Sequence, residues 1–270
     1  MERILFFETP VFTGAIRVTR TIAKSLRNQY EVDFAVVNPN GLIQEEIQRQ
    51  IELIKPDILF SSFVSINADV IEVGKKNNLR VYIRTDYKLG DITESIREGI
   101  YNSYPLADQI IAQTEEMAKE LRSIKGVRPD KVVVVENPVD EEELTRLSGE
   151  LNPFPNNGCF HYLWVGREDP IKDVDTLKKA FEIVHKNHEK TDLTLISNEH
   201  NPYRWMKNAD CLVISSKSEA SPNVLREALF LGTKVVSTDC SPTVRKLLPQ
   251  DRIVPVGDYR RMAEAMSKLL

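Results

Sequence analysis

Short apolar runs along the chain alternate with longer segments in which apolar positions recur at helical spacing. The runs are typical of buried strands and the longer segments of amphipathic helices, so the pattern predicts β-α-β units and parallel sheets. In the first half the predicted strands are Ile4–Phe7, Val32–Val36, Ile58–Phe60, Arg80–Ile83, Gln109–Ala112 and Val132–Val135. In the second half they are Phe160–Val165, Leu193–Ile196, Cys211–Ile214, Lys234–Ser237 and Ile253–Val256, with a closing helix from Tyr259.

A stretch rich in acidic residues, proline and asparagine separates the two halves, and this composition is typical of a linker. We therefore predict an α/β protein of two doubly wound, Rossmann-like domains, at 1–140 and 159–270, joined by a linker at 141–158. Ligands of such sheets bind at the carboxyl ends of the strands. With two domains facing each other, we expect the site in the cleft between them.

Composition narrows the possible functions. Of the 270 residues 41% are hydrophobic and 28% charged, and the formal net charge is −4, which argues against a nucleic-acid partner because phosphates call for a basic face. No apolar run resembles a signal peptide or approaches membrane-spanning length, so we expect a cytoplasmic protein. The three cysteines are widely spaced and the four histidines lie near no cluster of carboxylates, so we predict no metal site.

The segment 209–232 carries the most chemistry. A buried strand leads into a polar loop, and a helix is predicted to begin at Ser221 with Pro222 in its first turn. A helix N-terminus offers backbone N–H groups and the positive end of a dipole, which suit phosphate oxygens. Helices that begin after strands are common, so this feature alone is weak.

Four charged side chains sharpen the picture. Glu219 and Glu227 are eight residues apart, a span of roughly 12 Å along a helix, comparable to the distance from a sugar to the ribose of its nucleotide. Carboxylates accept hydrogen bonds from both sets of hydroxyls. Arg167 and Lys172 follow the first strand of the second half, where two cations can stabilise a diphosphate that gains charge as it leaves. The alternative is that all four side chains are solvated surface charges.

These segments resemble the donor-site signature of family-4 glycosyltransferases, which have the two-domain GT-B fold. The matching stretches are Glu219 to Glu227 with Ala228 to Asp239 after it, Val165-Gly166-Arg167 followed by Lys172, Ala107 to Thr114, and Val135 to Asp140. They occur in order over nearly the whole chain, and their combined spacing is more specific than any one of them.

The resemblance implies a role for each matching residue. Arg167 and Lys172, after Gly166, would hold the donor diphosphate. Glu219 and the backbone from Ala220 through Ser221 to Asn223 would hold the transferred sugar. Val224 and Leu225 would present N–H groups to the diphosphate, and Glu227 would hold the ribose. The donor would be a UDP- or GDP-sugar, with no metal or other cofactor required and with retention of the anomeric configuration.

The first half departs from the family pattern. Gly14 is the only glycine after the first strand, where the family has a glycine-rich turn, and we expect it to allow close backbone access. This half has no histidine to contact the sugar. Asp86 occupies the corresponding loop and could bind a sugar hydroxyl or, alternatively, cap the structure that follows. The segment between Ile196 and Ala209 is shorter than in the family, which reduces the wall near the base.

A basic stripe, formed by Arg17, Arg20, Lys24 and Arg27, follows one face of the first predicted helix. It is either a solvated face or a docking site for anionic lipid or a phosphorylated acceptor, the second giving peripheral contact with the cytoplasmic face of a membrane.

Our leading hypothesis is a retaining glycosyltransferase that uses a nucleotide-diphosphate sugar and an unidentified glycan, lipid or small-molecule acceptor. The alternatives are a nucleotide-sugar hydrolase or epimerase of the same fold, and a catalytically silent subunit that binds sugar nucleotides.

Overall fold

The computed structural model describes residues 1–10, 14–85, 87–197 and 199–270. The chain divides into two compact units, Met1–Pro138 (unit 1) and Val139–Leu270 (unit 2), and each is described by itself.

Unit 1 is a parallel sheet with helices between its strands. Its strands are β1 (Arg3–Glu8), β2 (Glu31–Val36), β3 (Ile58–Ser61), β4 (Arg80–Arg84), β5 (Gln109–Ala112) and β6 (Val132–Val134). Its helices are α1 (Gly14–Leu26), α2 (Ile43–Ile54), α3 (Val64–Lys76), α4 (Glu94–Ser103) and α5 (Glu115–Arg122). The strand order is β2-β1-β3-β4-β5-β6, so the winding reverses between β1 and β3.

The strands of unit 1 are apolar because helices cover both faces of a parallel sheet. All four residues of β3 are buried, and Phe6 of β1 packs against Phe60 of β3 with ring centroids 4.7 Å apart. Ala23 of α1 joins the same cluster.

Unit 2 repeats this plan with a smaller sheet. Its strands are β7 (Phe160–Val165), β8 (Thr191–Ile196), β9 (Cys211–Ile214), β10 (Lys234–Thr238) and β11 (Ile253–Val254). Its helices are α6 (Glu141–Ser148), α7 (Val174–Asn187), α8 (Tyr203–Asn208), α9 (Asn223–Phe230), α10 (Pro242–Leu247) and α11 (Tyr259–Ser267). The strand order is β11-β10-β9-β7-β8, and the winding reverses between β7 and β9.

Alternation along β7 builds two cores in unit 2, because successive side chains of a strand point to opposite faces of its sheet. Leu163 packs on the face covered by α8 and α9, whereas Tyr162 and Trp164 pack on the face covered by α7 and α11. The expected α/β architecture with two parallel sheets is confirmed.

The segment 141–158, predicted to be a linker, contains α6. Asp140 caps this helix by accepting a hydrogen bond from the backbone N–H of Glu143 at 3.0 Å. Leu144 and Phe154 are both buried in the core of unit 2. The acidic and proline-rich composition thus hides a short capped helix whose apolar side chains pack against the second sheet.

Candidate functional site

Two loops of unit 2 leave the sheet at the point where its winding reverses. One follows β7 and carries Arg167 and Lys172, and the other follows β9 and carries Glu219. In doubly wound sheets the carboxyl ends of the strands that flank this reversal form a natural ligand crevice. The topology therefore brings side chains 47 residues apart in sequence to one place.

The central contact is an ion pair between Lys172 and Glu219. Lys172 Nζ lies 2.5 Å from Glu219 Oε1, and the two side chains are 21% and 16% exposed. The hydroxyl of Ser216 donates to the same oxygen at 2.8 Å. A cation and a carboxylate are thus held side by side at the edge of the sheet, mostly shielded from water yet accessible.

The backbone ties the two loops together beneath this pair. The N–H of Lys217 donates to the carbonyl of Ile171 at 2.7 Å, and the hydroxyl of Ser215 donates to the carbonyl of Lys172 at 2.7 Å. Before Lys172 the chain turns tightly, since the carboxylate of Asp169 accepts the N–H of Ile171 at 3.0 Å. Lys172 is therefore placed by local hydrogen bonds as well as by its ion pair.

Cys240, which lies beside Glu219, is not a candidate nucleophile. The N–H of Glu219 donates to its carbonyl at 2.9 Å. Burial and then the charge of Glu219 raise the pKa of the Cys240 thiol to about 11, so the thiol stays protonated near neutral pH.

The helix after Glu219 begins later than the sequence suggests. It begins at Asn223, and Pro222 is its N-cap with φ −67° and ψ 115°. The extended ψ of Pro222 is the reason that Ser221 precedes the helix rather than opening it. Ser221 is buried, and its hydroxyl accepts a hydrogen bond from Thr243 at 3.1 Å.

The first turn of this helix, α9, contains the other predicted phosphate-binding residues. Val224 is half-buried, and Leu225 is fully buried with its N–H donating to the carbonyl of Pro222 at 3.3 Å. The N–H of Leu225 is thus engaged by the chain itself, whereas the family resemblance implies that it faces a diphosphate. Asn223 opens the helix.

Glu227 lies one turn into α9 and is 7% exposed. The hydroxyl of Tyr203 on α8 donates to its Oε1 at 3.4 Å. The second glutamate of the predicted pair is thus a buried carboxylate beside a tyrosine, whereas Glu219 is the more accessible one.

The remaining predicted residues of unit 2 follow β7. Arg167 is exposed. At Gly166 a Cβ would come within 2.9 Å of the Trp164 ring, so this glycine makes room for a buried aromatic side chain. Sequence reasoning predicted a role for Gly166 next to the ligand and missed this packing role.

In unit 1 the predicted residues are less informative. Gly14 is the first residue of α1. Asp86 lies outside the described residues, and so does the segment 11–13 before Gly14. The serine pair Ser215-Ser216 and the tyrosine Tyr203 were not predicted at all, although two serines directly after a buried strand lie where ligand loops begin.

The basic stripe of α1 is partly committed to the fold. Arg20 makes a two-pronged ion pair with Glu8 at the end of β1, with both nitrogen-oxygen distances 2.8 Å. The Glu8 side chain is only 4% exposed. Arg17 is half-buried, and Lys24 and Arg27 are exposed.

Within the described ranges, no group of three or more His, Cys, Asp or Glu side chains is arranged to hold a metal ion. The helices of these residues likewise include none with the length and hydrophobicity of a transmembrane span.

Two family models match separate parts of the chain. Residues 198–270 match the model described as Glycosyl transferases group 1, and residues 80–143 match the one described as Glycosyltransferase Family 4. The first match contains Glu219 and α9, and the second contains β4, β5 and β6.

Curated relatives carry related names. An uncharacterized glycosyltransferase of Methanocaldococcus jannaschii is 27% identical over 259 residues, covering 79% of this chain and 63% of that protein. The N-acetylgalactosamine-N,N'-diacetylbacillosaminyl-diphospho-undecaprenol 4-alpha-N-acetylgalactosaminyltransferase of Campylobacter jejuni is 22% identical over 192 residues, covering 62% of this chain and 52% of that protein. The chain thus spans between half and two thirds of the length of these relatives.

Among solved structures, the crystal structure of HepE from Anabaena in complex with UDP-glucose has a TM-score of 0.79 to this chain. The alignment covers 99% of this chain and 89% of that one at 14% identity. At this identity the likeness concerns the fold.

Proposed function

Because the chain belongs to the family-4 glycosyltransferases of the GT-B fold, we propose that it transfers a sugar from a nucleotide-diphosphate donor bound by unit 2. The observation that carries this proposal is the Lys172–Glu219 pair at the reversal of the second sheet. It puts a cation for a diphosphate next to a carboxylate for sugar hydroxyls.

The ammonium of Lys172 would take on the charge of the leaving group. As the bond between the sugar and the diphosphate breaks, negative charge builds on the phosphate oxygens, and a nearby fixed cation stabilises that charge where it develops. Arg167 on the same loop and the first turn of α9 would add to this field. With these groups present we propose that turnover needs no divalent cation.

Glu219 would orient the sugar, because an ionised carboxylate only accepts hydrogen bonds and sugar hydroxyls donate them. Glu227, one turn into α9, would accept hydrogen bonds from the hydroxyls of the ribose. We further propose that the product keeps the anomeric configuration of the donor. Inversion would need a side chain placed as a base, and Asp86 is the candidate for that role that the sequence offers. The leaving phosphate would then assist the acceptor's attack on the same face.

The donor is proposed to be a UDP- or GDP-sugar, and the solved structures of HepE with UDP and UDP-glucose support testing uridine donors first. The acceptor would be a glycan, lipid or small molecule. The name of the Campylobacter relative, which includes a diphospho-undecaprenol, favours testing a lipid-linked acceptor at the cytoplasmic face of a membrane. Lys24 and Arg27 would then contact the anionic surface, with Arg20 held by Glu8.

The test is a panel of UDP, GDP and their sugars. Ligands that bind the folded protein raise its melting temperature, so the panel identifies base and sugar together. Donor turnover is then measured with and without acceptor, and with EDTA. Turnover without acceptor would favour a hydrolase or epimerase, and binding without turnover a silent subunit.

NMR of the product gives its anomeric configuration, and inversion would rule out the retaining mechanism. Loss of activity in EDTA that magnesium restores would rule out the metal-free one.

A further inference from the structure

Two adjacent serines directly after β9 make hydrogen bonds to the two residues of the Lys172–Glu219 pair. Ser215 is 0% exposed and its hydroxyl donates to the carbonyl of Lys172 at 2.7 Å. Ser216 is 2% exposed and its hydroxyl donates to Glu219 Oε1 at 2.8 Å. One serine thus holds the backbone that carries the cation, and the other holds the carboxylate itself.

Ser216 is fixed from the opposite side by the neighbouring strand. The hydroxyl of Thr238, a buried residue at the end of β10, donates to the carbonyl of Ser216 at 2.6 Å. The N–H of Glu219 donates to the carbonyl of Cys240 at 2.9 Å. The backbone on both sides of the Ser216–Glu219 hydrogen bond is therefore anchored, and a small shift of the loop cannot replace a lost hydroxyl.

The two oxygens of the Glu219 carboxylate are used differently. Oε1 accepts from both Lys172 and Ser216. In the part of the chain that the structure describes, Oε2 accepts no hydrogen bond. Two donors on one oxygen fix the rotation of the carboxylate about its last bond, and they leave the second oxygen to accept hydrogen bonds from a ligand.

We propose that Ser216 is a positioning residue that sets how Glu219 presents Oε2 to the hydroxyls of the transferred sugar. The inference rests on the proposed function and adds the residue that determines sugar recognition. Among the described residues, the Ser216 hydroxyl donates to the Glu219 carboxylate and not to Lys172. Its contribution therefore reaches the ligand through the sugar and not through the diphosphate.

A merely supporting role makes a different prediction. If Ser216 only stabilised the loop, its loss would displace Lys172 as well as Glu219 and would weaken every ligand of the site. If it positions Glu219, its loss weakens sugar nucleotides and spares free nucleotides. Comparing the two ligands separates these roles.

The experiment uses the whole chain and calorimetry with two matched ligand pairs, UDP with UDP-glucose and GDP with GDP-mannose. Ser216→Ala should weaken the sugar nucleotide about tenfold, as expected for one hydrogen bond to a charged group, and the free nucleotide less than about twofold. Ser216→Thr keeps the hydroxyl and should restore most of the difference. Should Ser216→Ala fail to fold, Ser216→Cys, which keeps the side-chain volume with a weak donor, gives the same comparison.

Ser237→Ala is the matched control. Ser237 on β10 is equally buried, but its hydroxyl donates to the carbonyl of Thr238 and not to the ion pair. This variant should bind both ligands like the parent protein.

Equal losses for free and sugar nucleotides, or no loss at all, would overturn the inference while leaving the proposed function standing. If the parent protein itself binds none of the four ligands, the proposed function fails and the inference falls with it.

Discussion

The two sheets reverse their winding at equivalent points, but they use those points differently. In unit 1 the reversal lies between β1 and β3, and the carboxylate there, Glu8, is 4% exposed and held by both nitrogens of the Arg20 fork. In unit 2 it lies between β7 and β9, and the carboxylate there, Glu219, is 16% exposed and shares one oxygen between Lys172 and Ser216. One carboxylate is sealed into the fold and the other retains an oxygen for a ligand.

Polar residues elsewhere at the carboxyl edge of unit 1 are also turned inward. Arg84, at the end of β4, is 1% exposed and donates to the side chain of Asn137. Gln113, after β5, donates to the carbonyl of Thr85 at 2.9 Å. A shared topology therefore offers a crevice at both reversals, and side-chain burial decides whether the charges there stabilise the fold or are available to a ligand.

The largest effect is expected where the carboxylate is sealed. Arg20→Met should lower the free energy of unfolding of unit 1 by about 3 kcal/mol, because it leaves Glu8 buried without the charge that compensates it. Nucleotide binding by unit 2 should not change. The measurement is denaturant unfolding of the whole chain, followed by hydrogen exchange to locate the loss.

Arg27→Met serves as the control for this prediction. Arg27 lies beyond the C-terminal end of α1 and is exposed. The unfolding free energy of this variant should therefore stay within about 0.5 kcal/mol of that of the parent protein. The double variant Glu8→Leu with Arg20→Met should recover stability relative to Arg20→Met alone, since no buried charge remains. An Arg20→Met protein as stable as the parent would contradict the assignment of Glu8 to the fold.

The second effect contrasts the two glutamates of unit 2. Glu219→Gln should weaken the binding of sugar nucleotides by about 1.5–3 kcal/mol, because the charged acceptor for the sugar hydroxyls is lost. The binding of free nucleotides should not change. Glu227→Gln should weaken both ligands, since the ribose is common to them. Calorimetry with UDP and UDP-glucose checks both statements, and a Glu219→Gln variant that loses UDP equally would break the division of roles.

The smallest effect concerns acid stability in unit 1. Burial raises the pKa of Asp108, but hydrogen bonds from Lys75 and from the N–H of Val81 outweigh it, so the pKa ends below its ordinary 3.8. A carboxyl with a lowered pKa contributes stability that is complete above its unfolded pKa and is lost as pH falls through the folded one. Asp108→Asn should therefore remove about 1 kcal/mol or less above pH 4 and flatten the stability profile below it.

Asp130→Asn tests whether burial matters in this comparison. The Arg128 guanidinium also lowers the pKa of Asp130, but both side chains are more than half exposed, so solvent should screen their contribution. Acid profiles of the two variants that coincide would show that Asp108 contributes no more than a surface pair.

The sheets could be predicted from the sequence because buried parallel strands form nearly continuous apolar runs. β5, β7 and β9 have the predicted bounds, β1 is one residue longer at each end, and the other strands differ by one or two residues at one end. The helix α6 could not be predicted from the sequence, because the acidic residues in its first turn are also common in linkers. The Asp140 cap is a local feature, whereas the burial of Leu144 depends on packing against the sheet of unit 2.

The candidate site could be predicted only residue by residue. Lys172 and Glu219 each stand out in their loops, but their direct contact depends on β7 and β9 being neighbours, which the strand pattern does not specify. In the sequence Arg20 belongs to a basic stripe on the outer face of α1. Its ion pair with Glu8 depends on how α1 packs against β1, which the sequence pattern does not specify either. The helix α9 begins at Asn223 rather than at Ser221 because the backbone of Pro222 is extended.

The role of Lys172 in holding the diphosphate is tested by the affinity of Lys172→Ala for nucleoside diphosphates, measured by calorimetry. The matched variant is Lys178→Ala, because Lys178 is an exposed lysine on α7. We expect Lys172→Ala to bind about ten- to hundredfold more weakly and Lys178→Ala to bind like the parent. Adding Arg167→Ala to Lys172→Ala should weaken binding by less than Arg167→Ala does alone. Lys172→Ala and Arg167→Ala variants that bind the diphosphate as tightly as the parent would contradict this role.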